Sequence, residues 1–211
     1  MKAFKLIIIA IITFLFISFP VAAQENIIEV EKAGLSKEKK TALYYLEQEN
    51  TIKSFGEISD RIWAWAELGL QEFKSSALLI ETLEKEGFTV EKNVAGMPTC
   101  FVASWGEGKP VIGVLGEFDA LPMLSQKGRV AYKDPLVKGA PGHGCGHNMM
   151  GTAGVATVIA VKRSMQENNI GGTIKFFGSP AEETVISRPY MVRAGVFDDV
   201  DAVIDNHSSS R

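Results

Sequence analysis

Val111-Ile112-Gly113-Val114-Leu115-Gly116-Glu117-Phe118-Asp119-Ala120-Leu121-Pro122 is the stretch on which the fold turns. Its first five residues are apolar on both faces except at Gly113, the pattern of a strand inside a sheet rather than one with a wet side. The stretch then runs directly into two carboxylates. Two other segments end in a similar way. Thr173 to Gly178 reads as a strand and leads into Ser179-Pro180-Ala181-Glu182-Glu183; Ala202 to Asp205 reads as a strand and leads into Asn206-His207. In open α/β sheets, ligands bind outside the carboxyl ends of the strands. Three strand ends are therefore expected to deliver polar groups to one rim.

Around these strands the hydrophobic period alternates between helical and extended. Helices are predicted over Lys37 to Asn50, Gly56 to Leu68 and Ser75 to Glu86. In the second, Ile58, Ile62 and Trp65 share a face; in the third, Ser75 or Ser76 is a candidate cap and Gly87 a stop. Phe88 to Glu91 and Thr99 to Trp105 read as further strands, and Gly106 to Pro110 as a hairpin loop joining Thr99–Trp105 to Val111–Leu115. A small-residue helix is expected over Thr152 to Met165, and a short helical turn over Tyr190 to Ala194. Gln126 to Pro141 reads as a long exposed loop. Strands alternating with helices predict a layered α/β sheet covered on both faces. No internal repeat or low-complexity segment is visible.

Pro141-Gly142-His143-Gly144-Cys145-Gly146-His147-Asn148 concentrates the soft ligands. The chain has three histidines and two cysteines, and two of the imidazoles and one thiol fall within these eight positions. Borderline cations such as zinc bind imidazole and thiolate. Laid over the same rim, this loop would share a cleft with the carboxylates and His207, bringing up to three imidazoles together. Hydrolysis by a water activated on metal ions fits that inventory. Adjacent Glu182 and Glu183 can divide the labour of general base and ligand, and Asp119 suits the carboxylate that fixes a ligating imidazole. Cys100 reads as a buried apolar thiol.

The first residues read as a secretory signal peptide. Lys2 and Lys5 precede an apolar run from Leu6 to Phe19, interrupted by Thr13 and Ser18, and Val21-Ala22-Ala23 offers a cleavage site. The run is short for a bilayer span, which needs about 20 residues; an uncleaved anchor is the alternative. After cleavage no stable membrane span is expected, and the location is periplasmic or secreted. Residues 24–211 suffice for one sizeable core. Losing two lysines takes the formal charge from −3 to −5. A mildly acidic chain without a basic cluster argues against nucleic acid as a partner. Export makes a Cys100–Cys145 disulfide worth considering.

The ordered set Gly116–Pro122, Gly142–Asn148, Pro180–Glu183 and Phe197–Val203 leading to His207 resembles the M20 family of metallopeptidases and amidohydrolases, in its aminoacyl-conjugate branch. The resemblance spans about Glu57 to His207. It implies a three-layer α/β sandwich of the zinc-exopeptidase type and two divalent metal ions, zinc or manganese. It implies Cys145 as a bridging thiolate, with His147, Glu183 and His207 as further ligands. Glu182 would be the general base, and Asp119 would orient His147. The implied reaction cleaves the amide joining an acyl or aroyl group to an amino acid in a small-molecule substrate. Family members are longer, with an inserted dimerisation domain and a later metal-binding histidine. The expectation is therefore that residues 24–211 form the N-terminal part of an incomplete catalytic domain, weakly active alone, whose longer form is a homodimer or hetero-oligomer. Two alternatives stand beside this one: a periplasmic dipeptidase or carboxypeptidase, and an inactive metal-binding remnant.

Overall fold

The computed structural model describes residues 34–184 and 186–208; the segment that reads as a signal peptide lies outside them. The chain divides into two units, residues 1–40 and 41–211. In the first, the described residues hold a turn and the start of helix α1 (Lys37–Leu46), where Ser36 Oγ accepts the Lys39 N–H at 3.4 Å.

The second unit is built on a sheet of five strands: β1 (Thr89–Lys92), β2 (Phe101–Glu107), β3 (Val111–Glu117), β4 (Gly172–Ser179) and β5 (Ala202–Ile204), in the spatial order β1-β2-β4-β3-β5. β3 runs parallel to β4 and β5, while β2 runs antiparallel to β1 and β4. The register pairs Glu117 with Ser179 and Val114 with Ile204. β3 and β4 therefore finish level, while β5 ends opposite Val114, so that its following residues need three more positions, to His207, to reach the same rim.

Alternation along the strands builds two cores. Phe101, Ala103, Val114, Ile174 and Phe176 face α2 (Glu49–Trp65), α3 (Phe73–Lys85) and α4 (His147–Asn168), where they meet Ile62, Leu79, Leu83, Val155 and Ile159. Val102, Leu115 and Phe177 face the other way, onto Val94, Met97, Cys100, Phe197 and Met191 of α5 (Ser187–Arg193). Phe101 packs on Phe176 and Phe118 with ring centroids 5.7 and 6.1 Å apart. Each buried phenyl group of this kind contributes roughly 1.5–3 kcal/mol. Three layers result, as the sequence predicts. Among the described residues, no helix is long and apolar enough to cross a membrane.

Several local expectations are corrected. β2 and β3 do not form a hairpin, because β4 lies between them. Residues 106–110 instead cross the start of β4, where Thr173 donates its N–H to Pro110 O at 2.9 Å and its hydroxyl to Gly108 O at 2.8 Å. A five-residue link is long enough to step over one strand, since neighbouring strands lie about 4.8 Å apart. β4 claims the middle because Ile174, Phe176 and Phe177 need apolar cover on both faces. The first helix stops at Leu46 and the second begins at Glu49, well before Gly56. Neither Ser75 nor Ser76 caps α3. Glu67 does, accepting the Lys74 and Ser75 N–H groups at 3.1 and 2.8 Å and the Ser75 hydroxyl at 2.8 Å, a carboxylate at the positive end of the helix. Helix α4 begins at His147 rather than near Thr152. It lies close to β3: a methyl group on Gly151 would stand 2.5 Å from Glu117 O. Both cysteines are free, and Cys100 is sealed in the α5-side core.

Candidate metal centre

Backbone contacts bring three loops to the rim. The chain leaving β3 is fastened on two sides. Ala120 N–H bonds to Glu67 O at 2.8 Å, and Leu121 and Gly142 exchange both backbone hydrogen bonds at 3.0 Å. The second contact ties Asp119's loop to the His143–Cys145 loop. Gly146, with φ at +85°, then turns the chain into α4, a conformation that L side chains resist. His147 thereby falls in the first turn of α4. The adjoining Asn148 amide donates to Ser59 Oγ at 3.0 Å, anchoring the turn on α2.

Asp119 is nearly fully buried and serves two neighbours. Its Oδ1 lies 2.9 Å from His147 Nδ1, and its Oδ2 accepts the Glu183 N–H at 3.0 Å. A carboxylate only accepts, so the His147 proton resides on Nδ1 and the lone pair on Nε2. His207 is set the same way: Nδ1–H donates to Ser208 O at 2.6 Å, and Nε2 lies 3.1 Å from Cys145 Sγ. The two rings stand edge to face with centroids 5.8 Å apart. Cys145, His147 and His207 can offer ligand atoms that all lie within 4.8 Å of one another, as can Glu117, His147 and Glu182.

The acids crowd the same imidazole. His147 Nε2 lies 3.1 Å from Glu117 Oε2, 3.7 Å from Glu182 Oε2 and 3.8 Å from Glu183 Oε1. His147 Nε2, Glu117 Oε2 and Glu183 Oε1 are buried with no hydrogen-bond partner. The 3.1 Å approach is an ion pair only if Nε2 is protonated. With the proton on Nδ1, two lone pairs face each other, and a cation or second proton is needed between them. Orphaned buried atoms normally carry a cost of about 1–3 kcal/mol each. Their convergence beside a thiol and the Nε2 of a second imidazole is a donor set that fits a divalent transition metal.

The protonation equilibria reflect the same crowding. Burial pushes the His147 imidazole down, but Asp119, Glu117 and Glu183 outweigh it and hold the group above its usual value. Burial raises Glu117 against the pull of His147 and Arg188, and burial likewise raises Glu183. The Cys145 thiol is pushed up to about 11 by burial and by Glu183, Glu182 and Glu117.

All six residues singled out from the sequence (Cys145, His147, Glu183, His207, Glu182 and Asp119) meet here. His143 does not. Its Nε2–H donates to Ile62 O at 3.1 Å, its ring lies 6.3 Å from that of Trp63, and burial lowers its pKa to about 4. The cleft therefore collects two imidazoles rather than three. Sequence reasoning counts Glu117 among the carboxylates at the rim but gives it no role, although it ends the same decisive strand two positions before Asp119. It also passes over Arg188, whose guanidinium pairs with Glu117 and, at 3.0 Å, with Asp205. No local pattern marks Arg188; only the fold brings α5 under the ends of β3 and β5.

Comparison with known proteins gives the chain its family and its fold relatives. Residues 113–210 match the model of Peptidase family M20/M25/M40. The chain is 48% identical over 153 residues to a subunit of the p-aminobenzoyl-glutamate hydrolase of Escherichia coli K12, covering 72% of this chain and 32% of that protein. Among solved structures it resembles a dinuclear metal-binding M20-family peptidase of Bacillus subtilis, with a TM-score of 0.61 and 24% identity over 74% of this chain and 43% of the other. It also resembles an aminobenzoyl-glutamate utilization protein from Klebsiella pneumoniae, with a TM-score of 0.61 and 18% identity over 81% and 46% of the two chains. The chain thus spans about a third of the length of its curated E. coli relative and under half of these solved chains.

Proposed function

We propose that this chain, which belongs to peptidase family M20/M25/M40, is part of a metal-dependent hydrolase of the amide joining an acyl or aroyl group to an amino acid. The supporting observation is the meeting of the unpartnered His147 Nε2 with Cys145, His207 and three carboxylates at the ends of parallel strands. In this reading Cys145, His147, Glu183 and His207 would hold two divalent cations, zinc or manganese, with Cys145 supplying the thiolate. Its place between the His207 nitrogen and the glutamates supports that role. Bound cations would supply Lewis acidity at the scissile carbonyl and make water acidic enough to attack near neutral pH.

The protein's own groups do the rest. Asp119 fixes the Nδ1 proton of His147, keeping the Nε2 lone pair turned outward. Glu182 takes the proton of the attacking water and passes it to the departing nitrogen. It is the more accessible of the adjacent glutamates, with its side chain 31% exposed against 18% for Glu183, as a group that must reach water should be. Arg188 balances the charge of buried Glu117. The E. coli relative is named as an aminobenzoyl-glutamate hydrolase subunit; by that analogy the substrate class includes aroyl-glutamates, and the working assembly contains a further subunit. We place the protein in the periplasm or outside the cell, on the apolar leader of residues 6–19.

The test is hydrolysis of aroyl-glutamates and N-acyl amino acids with added zinc or manganese, alongside metal stoichiometry. Glu182→Gln should bind metal as the parent does and lose turnover by a factor of about 10² to 10⁴. Turnover that survives this change would remove Glu182 as the base.

A further inference from the structure

The segment Glu67–Glu72 leaves α2, enters α3 and touches both acidic loops of the candidate centre. Glu67 O accepts the Ala120 N–H at 2.8 Å, next to Asp119, and Leu68 bridges Ala120. At the other end, Glu72 is completely buried. Its Oε1 accepts the Ala181 N–H at 2.8 Å, and its Oε2 accepts the Thr99 hydroxyl at 2.7 Å. Ala181 is the residue before Glu182 and has φ at +54°, an unfavourable conformation for a side chain with a Cβ. Between these contacts, Gly69 lies against Ala181 so closely that an added methyl group would stand 2.9 Å from its Cβ and 3.0 Å from its Cα.

From this we infer that Glu72 is a positioning residue: its buried carboxylate pins the left-handed Ala181 and so sets where Glu182 and Glu183 point. The pin acts in concert with Asp119, which accepts the amide two residues on, that of Glu183. Two buried carboxylates thus hold alternate amides of one short turn, leaving the Glu182 side chain free to face water. Thr99 secures the second oxygen of Glu72 and fixes its rotamer. Gly69 is the complementary requirement, a surface flat enough for Ala181 to rest on. The assignment rests on the proposal that Glu182 and Glu183 carry the chemistry, but the position of the turn can be measured without metal or substrate.

The experiment is residue-resolved amide hydrogen exchange on the metal-free chain, followed by zinc titration of the same samples. Glu72→Ala should speed exchange at Ala181 and Glu183 by about ten- to a hundredfold, the loss expected for a hydrogen bond to a charged acceptor. Amides in the middle of α4 should exchange as in the parent. Zinc should bind about 10- to 100-fold more weakly. Glu72→Gln should restore much of both: its carbonyl can still accept from Ala181, and the Thr99 hydroxyl can turn to accept from its amide. Should Glu72→Ala fail to fold, Gly69→Ala presses on the same residue from another side and should give the same localised pattern. Unchanged exchange at Ala181 and Glu183, or faster exchange spread evenly through α4, would overturn the inference. A parent chain that binds no zinc would instead count against the metal-centre reading, leaving the exchange data to decide Glu72.

Discussion

Replacing Asp119 by Asn changes one atom and should loosen the centre from within. Asp119 accepts from two donors, His147 Nδ1–H at 2.9 Å and Glu183 N–H at 3.0 Å. Asparagine has one acceptor and one donor end. With its oxygen toward His147, its NH₂ group faces the Glu183 amide, donor against donor. Turned around, it forces the His147 proton onto Nε2 and removes the lone pair that would meet a cation. The first choice loses the hydrogen bond to Glu183, about 1.5–3 kcal/mol for one made to a charged acceptor, and the second keeps both contacts but gives up the lone pair that a cation needs. At about 1.4 kcal/mol per tenfold, zinc affinity should fall about 10- to 100-fold, as when a ligating histidine loses its carboxylate partner. Competitive titration against a chelator reads this directly, with urea unfolding of the metal-free protein as the control for folding. If Asp119→Asn binds zinc within about twofold of the parent and unfolds at the same urea concentration, Asp119 does not set the His147 tautomer.

Three other outcomes are expected of the same structure. The metal-free Cys145 thiol, held near pKa 11, is protonated near neutral pH, so zinc binding should expel about one proton from it; calorimetry in buffers of different ionisation enthalpy should show that proton vanish in Cys145→Ala. His143, with a pKa of about 4 in the fold against about 6.5 in the unfolded chain, binds its proton earlier when unfolded. Its contribution, on the order of 3 kcal/mol, is present above about pH 6.5 and is lost as pH falls from there to about 4; urea titrations of His143→Phe should lack that part of the acid slope. Gly151→Ala should lower the melting temperature despite a helix-propensity gain of about 1 kcal/mol, because its methyl group would meet Glu117 O at 2.5 Å and overpacking costs about 1–3 kcal/mol. A raised melting temperature would show that α4 can shift away from β3.

The strands were legible because each carries its own pattern: Val111–Leu115 is apolar on both sides except at Gly113, and it lies inside the sheet. The residues that meet at the rim were legible because they end strands or sit in a glycine-rich loop. Strand order was not, since pairing is a long-range choice and the Gly106–Pro110 link looks locally like a hairpin. His143 shares every local cue with His147, yet the carbonyl of Ile62, on α2, claims its ring. Glu67 and Glu72 look like ordinary helix-flanking acids. Their structural roles depend on Ser75, Ala181 and Thr99, with which they form no sequence pattern.

β5 is three residues long, exposed at each position, and paired on one side only among the described residues, yet it carries His207 to the centre. A strand so lightly held opens at low free-energy cost, well before the rest of the sheet. Any cation gripping His207 together with Cys145 of α4's entry loop would staple that fraying edge to the interior, and by mass action each tenfold rise in free cation above its dissociation constant would deepen the staple by about 1.4 kcal/mol. Occupancy and closure of the sheet's margin are then two readings of a single equilibrium, and starving the protein of metal should be felt first as breathing at residues 202–207.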